Sequence, residues 1–485
     1  IDVGTTRAKG MAFDLAGKVV ASGSAGYPTR HPCLGRVEQD PEDWWRAVLD
    51  VLRQLGSQAA LRRVRAVGVC SQVNTHAFVD VAGTPLIPAI TWQDQRCAAV
   101  AAELDASIDP QRREALWGGP FTVDASFPLV RIAWLKRARR GLEPRWMLLP
   151  KDYVNLRLCG AVASDPISAI GLVDADAGYS SAVIALVPGA AELLPPLRDP
   201  DEVLGQVTSR ESGLPPDAVV VASTMDGWAN RYGSGALDAG DGFEVAGTSE
   251  IVGVVSARNV PTAGVITFPR REGLWLHAGP TQAGGDALRW YAEARGTDID
   301  AVLGEAARAA PGSDRLLFLP HLMGERAPLW DSNARGVFFG LSLDHGAPQL
   351  ARSVLEGVAY SARQLLGACE DAAGLRTERL ALSGGAARSD LWCQIKADVL
   401  DRELVRLRVL DSGVLGAALF AGAGAGLMAD VHEAARRMIH PERAFTPKPG
   451  VRRMYDDLYG IYCDLYERLA PSFAALGAID TQSAP

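Results

Sequence analysis

Cysteine is scarce and unorganised in this sequence. Seven thiols (Cys33, Cys70, Cys97, Cys159, Cys369, Cys393, Cys463) lie scattered, with no CxxC pair and no His/Cys cluster at metal spacing. That excludes a disulfide scaffold and a structural zinc site, and a reducing, cytoplasmic setting is expected. Runs of Lys and Arg long enough to follow a phosphate backbone are also missing. The formal charge is −8, from 49 basic and 57 acidic side chains, so nucleic acid is not an expected partner. The densest basic stretch, Lys136-Arg137-Ala138-Arg139-Arg140, closes an apolar helical segment, where cations complement the helix dipole. No apolar run reaches the ~20 residues that span a bilayer. The most membrane-like stretch, Leu415 to Ala429, is short and rich in Ala and Gly, and reads as a tightly packed internal helix. Nothing at the start reads as a signal peptide, and the chain opens on Ile1-Asp2 as though residues of a first strand preceded them.

What is present is length and an ordinary globular balance. A chain of 485 residues exceeds the roughly 250–300 at which one core stops growing, so two domains are expected. Apolar residues at 48% and charged residues at 22% argue against disorder or fibre. The opening reads as a strand, a Gly-Thr turn, a second strand from Ala8 to Phe13, the turn Asp14-Leu15-Ala16-Gly17-Lys18 and a third strand from Val19 to Ser22. A helix then starts with Asp40 as N-cap, Pro41 in the first turn and Asp43 three residues after the cap. It presents Trp44, Ala47, Val48, Val51, Leu52 and Leu55 on one face. An apolar strand around Val67-Gly68-Val69 follows and runs into Ser71-Gln72-Val73-Asn74.

The second half repeats this order. Phe243 to Ala246 leads through Gly247-Thr248-Ser249 into Ile251 to Val255. A helix from Gln349 to about Cys369 precedes the strand Leu380-Ala381-Leu382, a Gly-Gly turn and a helix beginning near Ser389. The expected architecture is two related α/β domains facing each other across a cleft, each offering a Gly-Thr hairpin. With the boundary in the Gly/Ala-rich stretch Gly233 to Gly242, residues 1–238 form the N-terminal domain and 239–485 the C-terminal one.

Several residues could carry chemistry. Asp2 stands in an apolar strand just before Gly4-Thr5-Thr6, and a buried carboxylate needs compensation, which a divalent cation with phosphate oxygens would provide. Backbone N–H groups of the turn, the hydroxyls of Thr5 and Thr6 and the nearby Lys9 suit an anion, although an Asp that merely caps a tight turn reads the same way. Gly247-Thr248-Ser249 has the same logic, and two such hairpins could grip a polyphosphate, as phosphoryl transfer requires. Ser383-Gly384-Gly385-Ala386-Ala387-Arg388-Ser389 joins a strand to a helix and lets a flat base or a phosphate approach the backbone. It is not GxGxxG, so no dinucleotide fingerprint is read. Gly284-Gly285, before a helix, offers a similar approach or a simple cap. Asp226 follows the apolar run Val219 to Ala222, at a strand end where α/β folds bind ligands. It could be the general base that takes a proton from an alcohol, or only a helix N-cap.

The identity and order of these motifs resemble the FGGY carbohydrate kinases, within the sugar-kinase and actin-like ATPase superfamily, over essentially the whole chain. Gly336-Val337-Phe338-Phe339-Gly340-Leu341, followed after seven residues by Gln349 to Glu356, resembles the family's second signature at every constrained position. Ser126-Phe127-Pro128-Leu129-Val130-Arg131-Ile132-Ala133-Trp134-Leu135 is similar to the first signature, with Arg131 where the family usually has Lys. Pro150-Lys151-Asp152-Tyr153 and Phe318 to Arg326 are similar to xylulokinase segments. The resemblance implies two actin-like, ribonuclease H-like domains, ATP and Mg2+ as cofactors, and roles by position. Asp2 would help hold magnesium, Thr5, Thr6 and Lys9 would lie near the transferred phosphate, and Gly247 and Thr248 would lie on the polyphosphate. Gly285, Gly384, Gly385 and Ser389 would line the nucleotide site, and Asp226 would be the base.

The acceptor side departs from the family's pattern. Where xylulokinases typically show Gln-Met-His-Gly, this chain has Gln72-Val73-Asn74-Thr75, so a potential imidazole contact becomes an amide. On an alternating strand His76 would share a face with Asn74 and could substitute for it. Thr91-Trp92-Gln93-Asp94-Gln95-Arg96 resembles segments that line the acceptor pocket in xylulokinases and glycerol kinases, with Trp92 and Asp94 as candidate contacts. Trp228, two residues after the base, could narrow the site or simply pack. The expected activity is phosphorylation of a pentulose, D-xylulose to D-xylulose 5-phosphate. Ribulose, ribitol, xylitol, a four-carbon sugar or polyol, and glycerol are alternatives. An actin-like ATPase switch or a degenerate kinase acting as a sugar sensor is the reading from another class. The partner is a small sugar or polyol, no membrane is expected, and a homodimer is compatible.

Overall fold

The computed structural model describes residues 1–59, 61–117, 121–139, 141–174 and 176–479, so Arg140 of the basic stretch lies outside the described residues. Two compact units result: Ile1–Gly233 with Ser412–Ile439, and Ser234–Asp411 with His440–Pro485. In the first, the strands Val19–Gly26, Arg7–Phe13 and Asp2–Val3 form the expected antiparallel meander, and Cys70–Ser71 adds in parallel to Asp2–Val3. Ala66–Val67 pairs in parallel with Val219–Val221, which pairs antiparallel with Val203–Gln206. The strand read around Val67-Gly68-Val69 is thus two short pieces, and a bridge from Ser71 to Met225 carries the parallel pairing onward. The helix Pro41–Gln58 covers the meander with the six apolar residues read from its spacing, all buried. Asp40 caps it by accepting from the Glu42 N–H, while Asp43 pairs with Arg30 and Arg46 instead of completing a capping box.

The second unit carries one seven-stranded sheet in the order Ile266–Thr267, Trp275–Pro280, Glu250–Ser256, Gly242–Ala246, Arg379–Ser383, Glu403–Leu407, Pro441–Phe445. Its first strand in the chain lies centrally, antiparallel to the second and parallel to Arg379–Ser383. The same arrangement holds for Asp2–Val3 in the first unit. A meander of three followed by parallel additions on the other side of its first strand is the actin-like, ribonuclease H-like pattern, and each unit has it. The helix Ala347–Ala373 buries much of its length in the second unit's core, and Asp390–Leu400 covers the sheet nearby.

One segment departs from a single cut after residue 238. The helix Ser412–Gly424, with Val431–Met438 behind it, packs in the first unit. Glycine makes this docking possible. A Cβ on Gly68 would lie 2.0 Å from the Ala417 carbonyl oxygen, one on Gly416 would lie 1.9 Å from that of Ala229, and one on Gly233 would lie 1.8 Å from that of Ser412. Backbone meets backbone at all three places, so the Ala/Gly composition read from the sequence serves contact with a distant part of the chain.

Gly416→Ala sets two effects against each other. Helix propensity alone would favour alanine by about 1 kcal/mol. The clash is with backbone, which cannot rotate away, and overpacking costs about 1–3 kcal/mol. A net loss of stability is expected in urea denaturation, and an alanine variant as stable as the parent would contradict this docking.

Candidate active site

Three neighbouring strand ends organise the first unit's site. Asp2 is level with Cys70 and Val3 with Ser71 in the parallel pair, and Ser71 bridges to Met225. The chain therefore brings Asp2, Gln72 and Asp226 to the same edge of the sheet. Both carboxylates act on the Cys70 thiol, which is pushed well up, first by burial, then by Asp2 and, more weakly, by Asp226. Lys9 is directly opposite Asp2 in the antiparallel pair, so the two side chains share a face about 5 Å apart at Cβ. Between them the Gly4 N–H donates to the Arg7 carbonyl at 3.1 Å, closing the turn that holds Thr5 and Thr6. Thr6 is exposed, and the Thr5 hydroxyl accepts from Trp92 Nε1 at 3.3 Å.

Asp226 opens the helix Asp226–Ser234, and its Oδ1 accepts from the Gly227 N–H at 2.7 Å. That bond goes to the adjacent residue, not to an N–H two or three positions on as a capping bond does, and the half-buried carboxylate stands at the strand-end edge. The chain reaches it through Ser223, which is buried with φ +54, an uncommon conformation for serine of the kind that collects at functional turns. Behind this turn Lys151 bridges Asp152 at 2.6 Å and Asp165 at 2.9 Å, Asp165 accepts from the Thr224 hydroxyl, and the Lys151 N–H donates to Ser71 Oγ. The Pro150-Lys151-Asp152 segment thus supports two of the three strand ends.

On the acceptor side Gln72 is buried. Its Nε2 donates to Gln39 Oε1 at 2.9 Å, and its Oε1 has no hydrogen-bond partner among the described residues. Gln39, missed in the sequence, is the hub here: it donates to the Thr5 carbonyl and to Thr29 Oγ1 and accepts from Trp44 Nε1. Val73 and Asn74 are half-buried. Asn74 has φ +57, so residues 72–76 are not an alternating strand and the shared face expected for Asn74 and His76 does not follow. Asn74 donates to Ser126 Oγ at 3.3 Å. His76 is buried, its Nδ1 is without a partner among the described residues, and burial, then the Arg131 charge, hold its pKa well below the usual value. Arg131, at the signature position, donates to the Ala125 and Thr91 carbonyls at 2.6 and 2.8 Å, bracing the residues next to Ser126 and Trp92.

Two expected contacts have other duties. Asp94 is fully buried and accepts from the Val37 N–H and from the Arg96 N–H, Nε and Nη2, at 2.6–2.9 Å. Four hydrogen bonds fill a carboxylate, so Asp94 braces the Trp92 loop and does not reach a sugar. Trp228 is also fully buried, its ring over the Arg231 guanidinium at 4.5 Å and beside Tyr232. It packs, and a narrowing wall would need an exposed face that it lacks.

The second unit assembles its glycines around the end of its central strand. Gly247-Thr248-Ser249 turns between Gly242–Ala246 and Glu250–Ser256, with the Gly247 N–H donating to the Ser249 carbonyl at 3.0 Å and Thr248 exposed. The N–H groups of Gly285 and Asp286 donate to the carbonyls of Gly247 and Thr248, which docks the helix Gly285–Arg295 on the hairpin. Gly384 has φ +90, and a Cβ on it would lie 2.4 Å from the Ala246 carbonyl oxygen. Gly385 differs: it is exposed, and a Cβ there would meet nothing within 4 Å. Packing does not require glycine at 385, whereas a ligand lying on the backbone would. Ser389 caps the helix Asp390–Leu400 by accepting from the Trp392 N–H at 3.3 Å.

No group of three His, Cys, Asp or Glu side chains forms a metal cage among the described residues. Magnesium is commonly held by one or two carboxylates plus phosphate oxygens. Asp2, half-buried at the strand-end edge, is the residue that would take part.

Comparisons with known proteins bear on the family and the fold. Residues 1–233 match the profile of the FGGY family of carbohydrate kinases, N-terminal domain, and residues 243–425 that of its C-terminal domain. Xylulose kinase of Escherichia coli (strain K12) is 30% identical, covering 98% of this chain and 99% of its own. Gluconate kinase from Lactobacillus acidophilus superposes with a TM-score of 0.87 at 25% identity, and xylulose kinase from the same organism with 0.86 at 26%, each over 98% of this chain and 98% of the solved chain.

The two adjacent glycines give a paired test. Gly385→Val is expected to leave stability within about 0.5 kcal/mol while weakening nucleotide binding about tenfold, or about 1.4 kcal/mol. Gly384→Ala is expected to destabilise the fold itself. Calorimetric melting and ADP titration of both variants check this, and a Gly385→Val protein that binds ADP normally would remove the base from that surface.

Proposed function

The chain belongs to the FGGY family of carbohydrate kinases, and on that footing we propose that it phosphorylates D-xylulose to D-xylulose 5-phosphate, using ATP and Mg2+, with Asp226 as general base. That it is a sugar kinase, a phosphotransferase with an alcohol acceptor, follows from the family. The observation that carries the rest is the meeting of Asp2, Gln72 and Asp226 at one sheet edge. Asp226 accepts the proton of the acceptor hydroxyl as its oxygen bonds to phosphorus. Lys9 and the Gly4-Thr5-Thr6 turn neutralise and orient the transferred phosphoryl group, while Thr248 and the Gly247 hairpin hold the rest of the polyphosphate. When bound, magnesium supplies charge neutralisation on the phosphate oxygens, with Asp2 as its protein ligand.

A ketose is favoured by the charge state of the acceptor side. Cations there are committed: Arg96 pairs with Asp94 and Glu38, Arg131 binds two carbonyls, and His76 is held neutral. Neutral amide groups of Gln72 and Asn74 match hydroxyls and a carbonyl, whereas a sugar acid would want a cation. Likeness to gluconate kinase makes gluconate the second reading. ADP release measured against xylulose, ribulose, ribitol, xylitol, glycerol and gluconate decides between them, with xylulose expected to be fastest.

Asp226→Asn is expected to lower kcat at least about a hundredfold, as for a lost general base, with ADP affinity retained. Near-normal turnover by this variant would sink the assignment of the base.

A further inference from the structure

Beneath the second unit's hairpin three charges are taken almost wholly out of water. Glu244 and Glu250 are fully buried and Lys396 is 1% exposed. Lys396 Nζ donates to Glu250 Oε1 at 2.6 Å and to Glu244 Oε1. Placement follows from register. Ala246 lies directly opposite Glu250, and Glu244 is two residues before Ala246, so the two carboxylates are diagonal neighbours on one face. Between them the chain runs through Gly247-Thr248-Ser249, so each stem of the hairpin carries one carboxylate. The ammonium that joins them comes from the helix Asp390–Leu400, which begins directly after the Gly384-Gly385 turn.

Stability does not explain such a cluster, because burying each ion costs several kcal/mol and an apolar trio of the same volume would hold the core as well. Directional hydrogen bonds do something that apolar contacts do not: they fix register and separation. We propose that Lys396, through Glu244 and Glu250, is a positioning residue that holds the Gly247-Thr248-Ser249 hairpin at a set distance from the Gly384-Gly385 turn and thereby sets nucleotide affinity. Burial, against the pull of Lys396 and with the charge of Glu244 adding, pushes the Glu250 carboxyl up, which sharpens its need for the ammonium.

The inference rests on the kinase reading, and calorimetric titration of the full-length protein with ADP and Mg2+ separates the two. Lys396→Met is expected to weaken ADP binding at least about tenfold and to raise the KM for ATP, with the acceptor KM within about twofold. Lys396→Arg is expected to recover part of the affinity. A purely structural role would instead lower the melting temperature without favouring one substrate over the other. Glu244→Gln, which keeps the shape and weakens one anchor, decides the matter if Lys396→Met does not fold, with an expected loss of about threefold to tenfold. Unchanged ADP affinity in folded Lys396→Met, or in Glu244→Gln where the former is unfolded, overturns the positioning role alone. A parent protein that binds no ADP overturns the kinase reading and this inference with it.

Discussion

Groups that are to meet a phosphate must face away from the core, and in both units the first strand of the sheet runs into a Gly-Thr turn that leaves a threonine exposed. Everything near these turns serves to keep them open and fixed. In the first unit Gln39 ties the Thr5 carbonyl to Gln72 and Trp44, and the Tyr27 hydroxyl donates to the Gly4 carbonyl. In the second, the first N–H groups of the helix Gly285–Arg295 are bonded to the hairpin's carbonyls, which leaves the hairpin's other face uncovered by that helix.

Glycine does three different jobs in this setting, and only structure separates them. Gly68, Gly233 and Gly416 let backbones touch, Gly384 takes a left-handed turn against Ala246, and Gly385 has open space where a side chain would be. The three look alike in sequence, since composition records the missing side chain and not its reason.

Local signals were the legible ones. The Asp40-Pro41 start, the meander, both Gly-Thr hairpins and the helix start near Ser389 depend on residues within a few positions of one another, and each appears where the sequence puts it. The repeated strand-turn-strand pattern pointed to two related α/β units, and the ribonuclease H-like order came from the family resemblance. Long-range partners were not. Nothing near Ser412 announces that its helix docks on Gly68 and Ala229, because the complementary glycines lie at least 170 residues away in the chain. Asp94 was taken for a sugar contact from the resemblance of its segment, although three of its four bonds come from nearby Arg96, and Trp228 because burial cannot be read from residue type. Asn74 broke the strand alternation through its own φ, which asparagine tolerates better than most residues.

Buried charge is arranged alike in the two units. Lys151 lies between Asp152 and Asp165, and Lys396 between Glu244 and Glu250, one ammonium to two carboxylates in each. The Lys396 triplet joins segments 146 and 152 residues apart, whereas the Lys151 triplet is local and reaches a distant strand end through the Thr224 hydroxyl on Asp165. Residues facing a ligand must remain available to it, so they cannot also lock their own loops. Placing the lock one layer deeper resolves that conflict: the exposed hydroxyls and N–H groups are left to the ligand, and directional ion pairs set where they stand. Desolvation makes this an expensive means of adding stability but an effective means of fixing geometry. That is the balance expected where small displacements of a phosphate cradle weaken its grip on the transition state.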